Sequence, residues 1–292
     1  MPKNSPKRTI TVCLIIIAII ALASFAGPFL SPYQGSVMTE TQFANPGTAH
    51  WFGTDINGFD VFTRTLEGAR ISILVGILGA GISLIIGTTY GMVSGLAGGK
   101  IDNIMMRFVD FMYSLPRIIL VILLISVFDQ KVKELFDEMS WQAIASYSRL
   151  FLLFVTLGLI EWLTLARIVR GQVLILKEQA YIMAARSQGA PFSRIIFRHL
   201  LPNLRGIIIV YATLAVPAVI LEESFLSFLG LGVQAPNSSL GTLLSDGAKM
   251  INPVQIFWWL LLGPAVYLGT TLLALNFLGD ALRDHFDPKS SR

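Results

Sequence analysis

Charge is scarce in this chain. Of its 292 residues only 14% are Asp, Glu, Lys or Arg, where a soluble globule carries about 25%. That shortage excludes an ordinary water-soluble domain. The single cysteine, Cys13, rules out an intramolecular disulfide and, inside an apolar run, says little about redox compartment. The three histidines, His50, His199 and His285, are too scattered for a metal site. Gly99-Lys100 has no P-loop glycine five residues upstream of Gly99 and is followed by Ile101, so the sequence carries no ATP site. No internal repeat is visible, which disfavours a self-contained secondary transporter or channel. No His/Asp or Ser/His arrangement accompanies Glu161, Glu222 and Glu223, which disfavours an intramembrane enzyme.

Apolar residues are what the chain has: 54% of the total, with a mean hydropathy of +0.67. This is the composition of an integral membrane protein, and its length allows about six spans of ~20 residues. Six apolar runs fit that number, at residues 10–27, 71–97, 104–128, 150–166, 206–226 and 254–278. The predicted fold is all-α, with six transmembrane helices. Its expected divisions are an inner tail and first span (1–30), an outer loop leading to an interfacial helix (31–70), and a five-helix core (71–292) carrying a long inner loop at 171–205. Small residues around 21–26 resemble a signal-peptidase site, but the 18-residue run at 10–27 exceeds a usual h-region, so a retained span is expected.

Within the second run Gly79, Ser83, Gly87, Gly91 and Gly95 recur every fourth residue. Such a stripe lets another helix approach closely in lipid, where packing drives association. The third run contains Pro116, a candidate kink, and Arg117, which must face protein or water; Arg107 and Asp110 are spaced to pair with each other. Residues 129–148 read as an outer excursion, with Val132, Leu135, Phe136 and Met139 on one face. Asp55 and Asp60 suit capping and turns better than metal binding. Glu222 and Glu223 lie about 24–26 Å along a helix starting at Gly206, at 1.5 Å per residue. Adjacent helical residues diverge by about 100°, so one glutamate is expected to face the pathway or a partner helix and the other the interface. The competing reading has both snorkelling to water. Arg117, Glu161, Glu222 and Glu223 are the candidate pathway or partner-helix contacts.

The most distinctive stretch is 181–203, YIMAARSQGAPFSRIIFRHLLPN. Tyr181, Ala184, Ala185 and Gln188 share one helical face, and Gly189 suits the residue just past a helix end. After Pro191, Phe192, Ile195, Ile196 and His199 share a face of a second short helix, with Arg194 and Arg198 on another and Pro202 as its expected stop. Two readings are open: a knob that docks on a partner, or a basic helix pair lying on anionic lipid.

The stretch resembles the cytoplasmic coupling loop of ABC-importer permeases, in which Glu-Ala-Ala is followed by a spaced Gly and Ile-x-Leu-Pro. Ala184, Ala185, Gly189, Leu201 and Pro202 match, while Met183 and His199 replace the family's Glu and Ile. Further blocks, HWFGTDINGFDVFTRTLEGARISILVG from 50, RGQVLILKEQ from 170, ESFLSFLGLGVQ from 223 and LNFLGDALRDHFDP from 275, are similar to the dipeptide and oligopeptide branch. Phe59 stands where that branch usually has arginine. The resemblance implies a type I importer permease, half of a translocation pathway for peptides, with no cofactor or catalytic residue of its own. Relatives in the same architecture carry nickel chelates, glutathione or opines. It also implies a second homologous permease, two cytoplasmic ATP-binding subunits and an extracytoplasmic substrate-binding protein. Tyr181, Met183, Ala184, Ala185, Gly189, Arg194, His199, Leu201 and Pro202 would then couple to the ATPases.

Orientation follows from charge. With both termini inside, the inner segments carry twelve basic residues (Lys3, Lys7, Arg8, Lys100, Lys177, Arg186, Arg194, Arg198, Arg205, Arg283, Lys289, Arg292). The outer segments carry five (Arg64, Arg70, Lys131, Lys133, Lys249). The positive-inside rule places 171–205 in the cytoplasm, and the resemblance implies the inner membrane of a prokaryote. The +4 net charge is thereby accounted for without nucleic acid.

Overall fold

A computed structural model describes residues 6–138, 147–235, 237–251 and 255–286. Lys3, Met139, Val254, Lys289 and Arg292, which figure in the expectations above, lie outside these residues. Among the described residues the fold is all-helical, apart from two isolated bridges, Thr54–Asp60 and Ile251–Ile256. The helices are α1 (Pro6–Leu30), α2 (Val61–Ala97), α3 (Gly99–Ser114), α4 (Arg117–Glu138), α5 (Ser148–Leu176) and α6 (Ala180–Ser187). They continue with α7 (Phe192–Phe228), α8 (Leu240–Lys249) and α9 (Trp258–Phe286). Five of them, α1, α2, α5, α7 and α9, are each long and apolar enough to cross a membrane; a sixth crossing exists if α3 and α4 count as one span.

That span is not the single helix expected over 104–128. α3 and α4 meet at 90°. Pro116 has no N–H to give, and its ring pushes Leu115 out of the helical region, to φ −86°, ψ 135°. α4 restarts at once, with Leu120 N–H donating to Pro116 O at 3.1 Å. It then runs through 138, so the first part of the expected outer excursion is helix. Phe136 is buried there and meets Phe151 edge-on at 5.6 Å, whereas Leu135 is exposed.

α2 begins well before the expected 71 and crosses the expected boundary at 70, because Asp60 caps it. Its Oδ2 accepts from both Thr63 N–H and Thr63 Oγ1 at 2.8 Å, and its Oδ1 lies 2.9 Å from His50 Nδ1. Asp55 holds the preceding turn through Asn57 N–H and Phe59 N–H, both at 2.9 Å, and pairs with Arg64 at 2.6 Å. The helix expected along the interface is therefore the first turns of α2.

α2 and α5 form the spine. Gly79, Ser83, Gly87, Gly91 and Gly95 are all buried. A Cβ on Gly87 would stand 2.8 Å from Trp162 O and 2.9 Å from Leu165 Cβ; one on Gly95 would stand 2.8 Å from Val173 Cβ. α5 reciprocates with Gly158, whose added Cβ would meet Gly79 O at 2.8 Å. Backbones approach here because neither helix has a side chain in the way. α1 lies outermost, tied to α9 by Ser24 Oγ and Tyr267 Oη at 2.8 Å, with Leu14, Ile15, Ile19 and Leu22 turned outward.

Candidate functional site

Two features have no evident role in folding alone: an exposed short helix at one end, and a charged group at the α3–α4 break. The short helix is α6. The C-terminus of α5 runs on through Arg167 and Arg170 to Leu176, ten residues past the expected end of its span, and α6 is a separate helix of eight residues. Gly189 ends it at φ +74°, donating to Arg186 O at 2.9 Å, while Ala190 N–H reaches Ala185 O at 3.0 Å. This is a Schellman closure, in which glycine takes the left-handed position at no steric cost. Ile182 is fully buried among Val173, Ile195, Ile196 and Leu200, and it hooks α6 onto the bundle. Tyr181, Met183, Ala184 and Gly189 are exposed, and Ala185 is half-buried.

The second half of this segment differs from expectation. No separate helix stops at Pro202; α7 runs from Phe192 straight into the long span, so the helix that carries this span begins well before Gly206. The reason is a π-type stretch over Ile195–Leu200, where Leu201 N–H bonds to Ile196 O. Widening the helix relieves the clash a proline ring would make with the carbonyl four residues back. Arg194 and Pro202 are exposed, Leu201 and His199 half-buried, with the His199 ring 6.2 Å from that of Tyr181.

At the α3–α4 break, Arg117 Nη1 lies 3.0 Å from Glu161 Oε2 on α5 and 3.3 Å from Glu222 Oε1 on α7. Only the second contact is aligned as a hydrogen bond; the first is close but not aimed, so it is charge attraction without a directed bond. Nη2 reaches Thr164 Oγ1 at 3.4 Å, and Thr164 also meets Tyr113 Oη at 2.7 Å. A charge at a helix centre in lipid costs about 2.5–3.5 kcal/mol, so three such side chains persist by facing one another or a cavity. Both occur: Arg117 and Glu222 line a cavity of about 560 Å³, and Glu161 and Thr164 line a second of about 110 Å³.

Glu223 is elsewhere. It is fully buried, accepting from Ser72 Oγ at 2.8 Å and Ser227 Oγ at 2.7 Å. Ser72 in turn accepts from Leu240 N–H at 3.3 Å, so this carboxyl joins α2, α7 and the start of α8. The two glutamates diverge, but neither reaches outward as one was expected to: Glu222 turns to Arg117, Glu223 inward.

Sequence reasoning missed a polar ladder between α3–α4 and α5. Asp102 meets Arg170, Asp110 meets Arg167 at 2.6 Å, Tyr113 meets Thr164 and Arg117 meets Glu161, in antiparallel order. Asp110 thus pairs across helices and not with Arg107 as expected. Glu161, Thr164, Arg167 and Arg170 stand three apart, and that spacing was the available signal.

Residues 87–292 match the family described as binding-protein-dependent transport system inner membrane component. The oligopeptide transport system permease protein OppC of Haemophilus influenzae is 46% identical over 279 residues, 94% of this chain and 83% of the relative. The dipeptide transport system permease protein DppC of Bacillus subtilis is 44% identical, over 96% of this chain and 81% of the relative. OppC of Escherichia coli K12 is 43% identical, over 97% and 88%. Helical spans, extent of match and identity agree, and this multi-pass chain belongs to the family of binding-protein-dependent transport inner membrane components, the permeases of ABC importers.

Proposed function

We propose that this chain forms half of the translocation pathway of an ATP-driven peptide importer, worked by partner ATPases that seat on α6 and the start of α7. The observation that carries the reading is near full-length identity of 43–46% to permeases named for oligopeptide and dipeptide transport. Those names favour a peptide cargo over a nickel chelate, glutathione or an opine, and the family favours ATP-driven transport over a secondary carrier. ATP hydrolysis belongs to the partners, so this chain is not itself an enzyme.

The shape of α6 supports the coupling role. Its outward residues include the small Ala180, Ala184 and Ser187, it is pinned from behind by Ile182, and Gly189 fixes the turn that follows. A push on α6 would pass to α5 and α7 together, because Ile182 packs between Val173 of one and Ile195 of the other. Arg117, Glu161 and Glu222 are assigned to the pathway, Glu223 to a joint between helices. Twelve basic residues in the inner segments against five in the outer ones support a cytoplasmic side for α6 and both termini. The full assembly would hold this chain, a second homologous permease, two ATP-binding subunits and an extracytoplasmic binding protein.

The test is uptake. The complex is reconstituted in liposomes with binding protein and a mixed pool of di- to hexapeptides, and the imported species are identified by mass spectrometry. ATP-dependent accumulation of peptides is expected. Accumulation of none, with another solute of the pool's medium imported instead, would remove the peptide assignment.

A further inference from the structure

We infer that the α3–α4 break holds a transmembrane contact for an ammonium group of the passing peptide, formed by Glu161 and Glu222 around Arg117. The inference rests on the peptide-importer reading above and adds to it the chemical group that is read within the membrane.

The group is unbalanced in charge. One guanidinium faces two carboxylates, so the fully ionised group carries one surplus negative charge. Donors are equally short. Arg117 aims Nη1 at Glu222 Oε1 and Nη2 at Thr164, at the long distances of 3.3 and 3.4 Å. Oε2 of Glu161 and Oε2 of Glu222 are both buried and, among the described residues, accept no hydrogen bond. Buried carboxylate oxygens without donors are costly and uncommon. A cation with N–H donors supplies charge and several donors at once, where a water supplies donors without charge and a proton on one carboxyl only a single donor. An anion would be repelled, and a carbonyl would add another acceptor where donors are already lacking.

Placement makes the group reachable. It sits at a broken helix, where non-helical backbone at membrane depth is tolerated when it lines protein or a cavity. On one side is the cavity of about 560 Å³, with Ile118, Val121, Leu221 and Phe225 on its walls. On the other is the cavity of about 110 Å³, reached past Glu161 and Thr164 and lined by Ser83 and Tyr211. The smaller is too small for a peptide. The larger has room for one residue's apolar side chain beside a compact cation at its charged edge. An ammonium group suits this better than a second guanidinium: it offers three donors from a point charge without the width of a planar fork. Two parts of a peptide supply that chemistry, the N-terminal amine and a lysine side chain.

The test measures protection of a cysteine and does not depend on what the binding protein accepts. Leu221→Cys, on the larger cavity's wall, is introduced with Cys13→Ser into the complete permease–ATPase complex in nanodiscs without binding protein. Its labelling by N-ethylmaleimide is timed with 10 mM of three tripeptides: a free-amine peptide lacking lysine, its N-acetylated form, and an N-acetylated peptide containing one lysine. The free-amine peptide is expected to slow labelling at least threefold and the acetylated one to leave it unchanged. Protection by the third peptide assigns the contact to any ammonium; its absence assigns it to the N-terminus. Glu222→Gln and Glu161→Gln should each abolish protection, with assembly of each variant complex checked by size-exclusion chromatography. Equal protection by free and acetylated peptides, no protection by any of them, or full protection in either Gln variant overturns the inference. Peptide uptake by the parent complex, measured separately, stands or falls independently of those outcomes.

Discussion

Asp102 is gripped by Arg170 through two parallel contacts, Nε to Oδ1 at 2.7 Å and Nη2 to Oδ2 at 2.6 Å, while Ser94 donates to the same Oδ1 at 2.5 Å. One carboxylate thus ties the end of α2, the start of α3 and the last turns of α5 together, just before the chain enters α6. Only Asp102 and Val109 of α3 are buried, so this joint and the Asp110–Arg167 and Tyr113–Thr164 contacts carry much of its hold.

Asp102→Asn keeps the shape but removes the charge and one of the two acceptors, setting its NH2 against a guanidinium donor, a loss of about 1.5–3 kcal/mol. A lower melting temperature of the purified permease is expected. Arg170→Lys should fall as far, because an ammonium cannot supply the paired fork. The double exchange Asp102→Arg with Arg170→Asp should recover part of the loss. Asp102→Asn melting with the parent would remove this joint from the account.

The α2–α5 spine gives a sharper test, because it has an internal control. Gly87→Leu would drive a side chain into Trp162 O and Leu165, 2.8 and 2.9 Å from its first carbon. Overpacking of this kind costs about 1–3 kcal/mol or more where backbone blocks the way. Gly81, on the same helix, has nothing within 4 Å of an added Cβ. Gly81→Ala should therefore be neutral or raise stability by up to about 1 kcal/mol, the usual helix-interior cost of glycine. Fluorescence size-exclusion profiles after heating separate the two. Equal behaviour would mean that the stripe does not pack as described.

The spans, the small-residue stripe and the glycine terminator at Gly189 were legible because each leaves a local mark: an uncharged run, a period of four, a φ that only glycine takes readily. Other features were not local. Pro116 signalled a disturbance, but no residue nearby distinguishes a gentle kink from a 90° break; the carboxylates receiving Arg117 come from α5 and α7. Pro202 was misread for the opposite reason. It looks like a stop, and a π-type stretch upstream lets the helix carry it. Glu222 and Glu223 could be told apart in direction from helical geometry, yet what each meets depends on Ser72 and Arg117, far away in the chain.

Glu223 and Glu222 should part company in stability as well as in transport. Glu223→Ala leaves the Ser72 and Ser227 hydroxyls facing an empty buried space, at a cost of about 1–3 kcal/mol per unsatisfied group. Glu222 borders a cavity and is the less buried of the two, so Glu222→Ala should fold and insert normally. Expression level and thermal unfolding of the two variants, side by side, check this. A stable Glu223→Ala with a collapsed Glu222→Ala would reverse the roles assigned to them.

The last prediction concerns α6. If Ala184, Ala185 and Gly189 enter a cleft on an ATPase, their smallness is what matters, and enlarging them should break coupling without touching the membrane helices. Ala185→Asp would also bring a carboxylate into a desolvated contact, where lost hydration is costly. Gly189 needs more care, because at φ +74° any L side chain brings strain as well as bulk. Gly189→Asn controls for this, since asparagine tolerates the left-handed region and stays small. We expect Ala185→Asp and Gly189→Trp to insert and purify normally but to lose ATPase co-purification and at least tenfold of binding-protein-stimulated hydrolysis. Gly189→Asn should keep most of both. The rival picture, a basic helix pair lying on lipid, needs Tyr181, Phe192, Ile195 and Ile196 free to meet the bilayer. Ile195 and Ile196 are instead buried against Ile182, which leaves that picture Tyr181 and Phe192 of the four. It predicts that Tyr181→Ser with Phe192→Ser is the damaging change and that Ala185→Asp is silent. Full coupling in Ala185→Asp and Gly189→Trp would falsify the docking role of α6.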